Sequence, residues 1–161
     1  LGDVYKRQSV LRIFLSKRGL CHIDDVRIVR HLFDASSLLD VGAEWRYRKG
    51  LAAFSDPPLA WIAPEFDDSD WLVGKSPIGF RFAGVNTFLR DMRRNYTSVA
   101  SRTTFPMTQE LLDSSEDIYF GIIFDDGFCA FLNGVEFDRE NCPDGVTWDG
   151  IATAERDNTL K

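Results

Sequence analysis

The chain has 161 residues, 44% of them hydrophobic and 27% charged, which gives room for one domain, or one domain plus a fragment of another, and excludes a disordered chain. A formal net charge of −6 argues against nucleic acid as a partner, because phosphate contacts need clustered Lys and Arg. No apolar run approaches the roughly 18 residues of a membrane span.

The charge is uneven along the chain. Residues 1–30 hold seven Lys or Arg against three Asp, a net of +4, which leaves −10 for residues 31–161. Such a shift marks a join between unlike segments. Residues 1–8 fit nothing downstream: the string Asp3-Val4-Tyr5-Lys6-Arg7-Gln8 looks like a translated sequencing-adapter scar and is set aside from fold reasoning. Residues 9–30 contain two alternating runs around Ser16-Lys17-Arg18-Gly19 and are expected to form a β-hairpin, the end of a preceding domain. Residues 31–40, rich in Asp and Ser turn formers, are expected to be a linker.

From residue 41 the pattern is of short strands broken by turns. Strands are expected at 42–49, 59–63 and 96–105, with a helical turn at 64–71 and a short helix at 86–95. Residues 118–124 are continuously apolar, as in a strand facing a core. Asp125-Asp126-Gly127 is expected to close a turn onto a second strand, 128–132, with Gly127 free to take positive φ. Asn133-Gly134 is the strongest hairpin signal in the chain, since a type I′ turn needs positive φ at both positions, and 135–137 is expected to return as a third strand. The class expected is all-β, an antiparallel sandwich with one or two short helical turns.

Four Trp residues invite a sugar-stacking hypothesis. Trp45, Trp61 and Trp71 lie in strand or turn patterns that suit a core. Trp148 lies in a loop with Asp144, Gly145, Asp149 and Gly150, so it is the candidate for ligand contact, with Asp144, Asp149 and Asn141 as partners for sugar hydroxyls. Glycoside hydrolysis needs two carboxyl groups facing across a substrate, roughly 5–10 Å apart. Adjacent pairs such as Asp67-Asp68 and Asp125-Asp126 diverge, so no catalytic residue is expected. No cofactor is expected either; a sandwich can hold one calcium ion on side-chain and backbone oxygens, but no loop has EF-hand spacing and no residue is assigned to it. His22 and His31 have no Cys or His at zinc spacing. Of the three cysteines, Cys129 is expected to be a small buried hydrophobe and Cys142 to pair outside the chain, with Cys21 unassigned.

The pieces AEWRYRKG, AWIAPEFDDSDWLVGKSPIGF, TFLRDMRRNYTS, RTTF and FDDGFCAFLNGVEFDREN together resemble a galactose-binding-like β-sandwich domain of large secreted bacterial multidomain proteins. The FDDS-x-W and DDG…LNG-x-E pieces are also similar to the sugar-binding jelly roll of family 2 glycoside hydrolases. The resemblance covers roughly residues 42–150. It implies a jelly roll over residues 41–161 that lacks its C-terminal strands, and a secreted or cell-surface location. The function it implies is that of a non-catalytic carbohydrate-binding or accessory module beside neighbouring domains. The alternatives are a structural or adhesive spacer and, behind it, part of a glycoside hydrolase.

Overall fold

The computed structural model describes residues 7–16, 22–31, 34–80, 84–109, 113 and 118–156, with side chains from residue 37 onward. Residues 1–6 of the adapter-like segment, residues 17–19 of the expected N-terminal turn, and Cys21 lie outside the described residues.

The protein is all-β. Its strands are β1 (Arg7–Ser16), β2 (His22–His31), β3 (Asp34–Leu39), β4 (Glu44–Lys49), β5 (Leu72–Lys75), β6 (Ile78–Gly79), β7 (Thr87–Phe88), β8 (Ser98–Met107), β9 (Tyr119–Asp125), β10 (Gly127–Leu132) and β11 (Val135–Glu140). One sheet runs β11-β10-β1-β8-β4-β5. The other runs β3-β2-β6-β7, with β9 on the opposite side of β2. Every pairing is antiparallel except β6 with β7.

Apolar residues of both sheets share one core: Trp45 and Tyr47 from β4, Phe105 from β8 and Phe128 from β10 meet Ile78 from β6 and Phe124 from β9. Each such side chain stabilises the fold by roughly 1.5–3 kcal/mol on burial. A second cluster lies on the other face of the six-stranded sheet. There Ala100 of β8 and Cys129 and Phe131 of β10 are covered by Phe54, Trp61, Trp71, Cys142 and Val146 from two loops. Strand β8 is therefore buried on both faces over its first five residues.

Several expectations are corrected. The two N-terminal runs do not pair with each other. β1 lies between β8 and β10, in register over ten residues with β8, while β2 pairs with β3, β6 and β9. The run Val10 to Leu15 is apolar at successive positions apart from Arg12, a pattern suited to an interior strand, whereas one face of an exposed hairpin would be polar. Residues 34–39, expected within a linker, are strand β3. Residues 59–63, expected as a strand, hold a 3₁₀ turn at Ala60–Ile62 that buries Trp61. Residues 64–71 are turns without a helix; Asp67 Oδ1 accepts the Ser69 amide at 3.0 Å, an Asx-type local bond that competes with helix. Residues 86–95 hold β7 and successive turns.

The largest correction concerns Asp125-Asp126-Gly127. The Asn133-Gly134 turn is as expected, with φ of 50° and 86° and Leu132 opposite Val135. By contrast, β9 and β10 do not form a hairpin: β9 belongs to the sheet of β2 and β10 to the sheet of β1. Only Asp126 separates the two strands, so the chain turns a corner from one sheet to the other. Gly127 is needed there for space and not for positive φ, because a Cβ would stand 2.6 Å from the Asn141 carbonyl oxygen.

Lys49 at the end of β4 reaches Asp91 Oδ2 at 2.7 Å, and the Tyr96 hydroxyl donates to Asp91 Oδ1 at 3.0 Å. The Lys49 bond, reinforced by Tyr96, holds the Asp91 carboxyl below its ordinary value. A carboxylate whose pKa is lowered on folding adds stability above its unfolded pKa, and that stability is lost as pH falls through the folded value. Asp91→Asn is expected to cost roughly 0.2–1 kcal/mol near neutral pH, since half the carboxylate is solvated. The gap between variant and parent should begin to narrow as pH falls below about 4, the ordinary carboxylate value, and close only below the lowered folded value. Urea titrations at both pH values check this; a gap that persists in acid would locate the effect elsewhere.

Candidate functional site

The loop between β4 and β5 is pinned to the six-stranded sheet by Arg46 and Arg48 of β4 and, most deeply, by Arg102 of β8. In register, Arg102 of β8 stands opposite Arg46 of β4. Like charges directly opposite one another destabilise a sheet unless an anion intervenes. Asp68 supplies it: its carboxylate lies 3.3 Å from Arg46 Nε and 3.2 Å from Arg102 Nη1. Arg102 is 3% exposed. Its Nη1 donates to the Phe66 carbonyl at 3.0 Å, its Nη2 to the Ala63 carbonyl at 3.3 Å, and its guanidinium stands 5.0 Å from the Phe66 ring centre. Burial pulls Arg102 down from its ordinary value while Asp68 pushes it back up; arginine stays charged throughout.

A groove of about 300 Å³ opens beside this clamp. Glu44 and Arg46 form one wall, Thr103 and Thr104 another, and Phe66 and Asp68 come from the loop. Guanidinium donors, carboxylate acceptors and hydroxyls that do both are thus set next to an aromatic ring. The four charged side chains, Glu44, Arg46, Asp68 and Arg102, sum to zero. A second groove of about 310 Å³ lies between Tyr47 and Arg48 of β4 and Asp70 and Trp71 of the loop.

The residues expected as a binding site are elsewhere. Trp148 is 38% exposed, and its carbonyl accepts a hydrogen bond from the buried Ser98 hydroxyl. The neighbouring Gly150 carbonyl accepts from the Thr97 hydroxyl at 3.1 Å. The indole therefore sits on an anchored loop, with Asp144 and Asp149 also exposed. Asn141 is not grouped with them. Its side chain donates to the Asp126 carbonyl at 3.0 Å, and its own carbonyl accepts the Thr153 amide at 2.9 Å. It belongs to the corner at Asp125-Asp126, where both carboxylates are buried. There Asp126 Oδ1 accepts the Arg156 amide at 3.2 Å, and the Arg156 guanidinium donates to the Phe124 carbonyl at 2.7 Å.

Trp45, Trp61 and Trp71 are buried, as the strand and turn patterns indicate. Cys129 and Cys142 are disulfide-bonded, with 5.8 Å between Cα atoms. Cys129 is buried as expected but paired, and the partner of Cys142 lies within the chain and not outside it: β11 runs back along β10, placing Arg139 opposite Cys129, and the chain then needs only three more residues to reach it. Among the described residues no group of three or more His, Cys, Asp or Glu is arranged to hold a metal ion, and no helix is long and apolar enough to cross a membrane.

The groove was missed in the sequence because its residues come from three separate segments. The signal available was the alternation Arg46-Tyr47-Arg48 and the isolated Arg102 in otherwise strand-like runs, where a charge at an interior position needs a partner. Comparison of the chain with family models, with curated proteins and with solved structures finds no match.

Proposed function

We propose that the chain is a non-catalytic β-sandwich module of the galactose-binding-like, jelly-roll kind, serving as a carbohydrate-binding or accessory part of a secreted or cell-surface multidomain protein. The observation that carries this reading is the charge-neutral groove of Glu44, Arg46, Asp68, Arg102 and Thr104 beside Phe66. Sugar hydroxyls both donate and accept, so mixed donors and acceptors next to an apolar face suit them better than they suit an ion. In this reading Asp68 is committed to two arginines and holds the binding wall in place; it performs no chemistry. Two sheets sharing one core support the sandwich assignment, and the Cys129–Cys142 disulfide supports an oxidising compartment.

The spacer reading is favoured by one observation: two nitrogens of the Arg102 guanidinium are spent on carbonyls of its own chain. Glycan-array binding separates the two. The parent protein is expected to retain at least one neutral glycan. Thr104→Trp, which fills the groove from its exposed wall, should weaken that binding by at least about tenfold, or about 1.4 kcal/mol, while Trp148→Ala leaves it unchanged. The reverse order would return the site to the Trp148 loop. No binding by the parent protein to any glycan would leave the spacer.

A further inference from the structure

Two strand edges on one flank of the molecule are unused by the groove. Among the described residues β9 pairs only with β2, so the other backbone edge of residues 119–124 has no described ladder partner. β11 ends the six-stranded sheet, and all six of its residues are exposed. Phe120 of β9 meets Phe137 of β11 edge-to-face at 5.0 Å, which puts both edges on the same flank.

Natural sheets guard such edges with Lys, Pro or inward charges. From Ile118 to Phe124 there is neither a charge nor a proline, and Ile118, Tyr119 and Ile123 are each about two-fifths exposed. β11 differs in character. Beside exposed Val135 and Phe137 it carries Glu136, Asp138 and Glu140 against one cation, Arg139, which Glu136 already holds.

We propose that this flank docks an extended polypeptide segment bearing basic side chains, which adds as a strand to β9 and runs alongside β11. Backbone hydrogen bonds to β9 supply affinity, and side chains supply selectivity, apolar ones against Val135 and Phe137 and long basic ones reaching Asp138 and Glu140. Charge selects the occupant. A second copy would bring its own acidic β11 towards this one, and like charges facing across strands are unfavourable; the net charge of −6 adds repulsion at longer range.

Fluorescence anisotropy on the full chain tests the proposal. The probe is a short labelled peptide alternating valine and lysine, run beside the same peptide with glutamate for lysine. The lysine peptide is expected to bind at least about tenfold more tightly. Asp138→Lys combined with Glu140→Lys, both at exposed positions, should reverse that order. Methylating alternate backbone nitrogens along one edge of the lysine peptide should abolish binding, which simple attraction to an acidic protein would survive. No binding, equal binding of both peptides, or indifference to N-methylation would overturn the proposal. So would a dimer in sedimentation equilibrium that Ile123→Lys dissolves, since the flank would then belong to a second copy.

Discussion

Replacing Arg102 by alanine is expected to lower the unfolding free energy by about 3–5 kcal/mol, the usual cost of removing one partner from a buried charge pair. The side chain is 3% exposed and has three jobs: pairing with Asp68, donating to the Ala63 and Phe66 carbonyls, and stacking over the Phe66 ring. Alanine would leave both carbonyls facing a cavity and would free the loop that carries Trp61 and Trp71 over Ala100, Cys129 and Phe131. Arg102→Lys keeps the charge but has a single nitrogen and no plane to stack, so it should lie between the two. Urea denaturation gives the ranking, and near-ultraviolet circular dichroism of the buried indoles reports whether the loop stays packed. A loss below about 1 kcal/mol for alanine would mean that the clamp is incidental, as most surface ion pairs are.

The Cys129–Cys142 disulfide has the second large expected effect. The two residues are 13 apart, and closing a loop of that order contributes about 3 kcal/mol, through the entropy removed from the unfolded chain. Reduction, or Cys129→Ala combined with Cys142→Ala, is therefore expected to lower the thermal midpoint by roughly 6–12 °C. Cys129 is fully buried and Cys142 nearly so, which means that the bond also fastens the segment leading to Trp148 onto the second apolar cluster. Thermal scans with and without reductant check this, and the double variant should not respond to reductant. An unchanged midpoint on reducing the parent protein would remove the disulfide from the account.

Both effects depend on the same part of the molecule, the outer face of the six-stranded sheet. An ordinary sheet face of this kind would be polar and wet. Here the loops after β4 and β11 cover it, so β8 runs between two apolar clusters and the only charge it buries needs an exact set of partners. The groove lies between the loop after β4 and the strands β4 and β8. Its walls are held by the clamp, so changes in Arg102 should alter stability together with the glycan binding proposed for the groove, whereas Thr104→Trp should alter that proposed binding alone.

How much of this was legible in the chain differs from element to element. The Asn133-Gly134 turn could be read directly, because its geometry is set by two neighbouring residues that tolerate positive φ. The β10 strand was readable from its apolar run, and β8 in outline, within the strand expected at 96–105. Asp67 was assigned to a helix start on the strength of local acidity, but the same side chain bonds the Ser69 amide and stabilises a turn instead. Asp125-Asp126-Gly127 carries the composition of a hairpin turn and makes a corner between sheets, since composition marks a change of direction without saying which strand comes next. The placement of β1 was misread for a related reason: an alternating run shows that a segment is a strand, and its neighbours are chosen by register with strands far along the chain.

The sequence by itself determined the class. Period-two alternation, an aromatic-rich composition and one two-residue turn are local properties, and they suffice to make an all-β chain with Trp45, Trp61 and Trp71 inside. Tertiary structure alone decided which strands share a sheet, that Cys129 meets Cys142, and that Glu44, Arg46, Asp68 and Arg102 stand around one groove. Those arrangements bring together residues as far as 121 positions apart, Leu11 and Leu132, and their energies come from burial and charge pairing that exist only once the chain has folded.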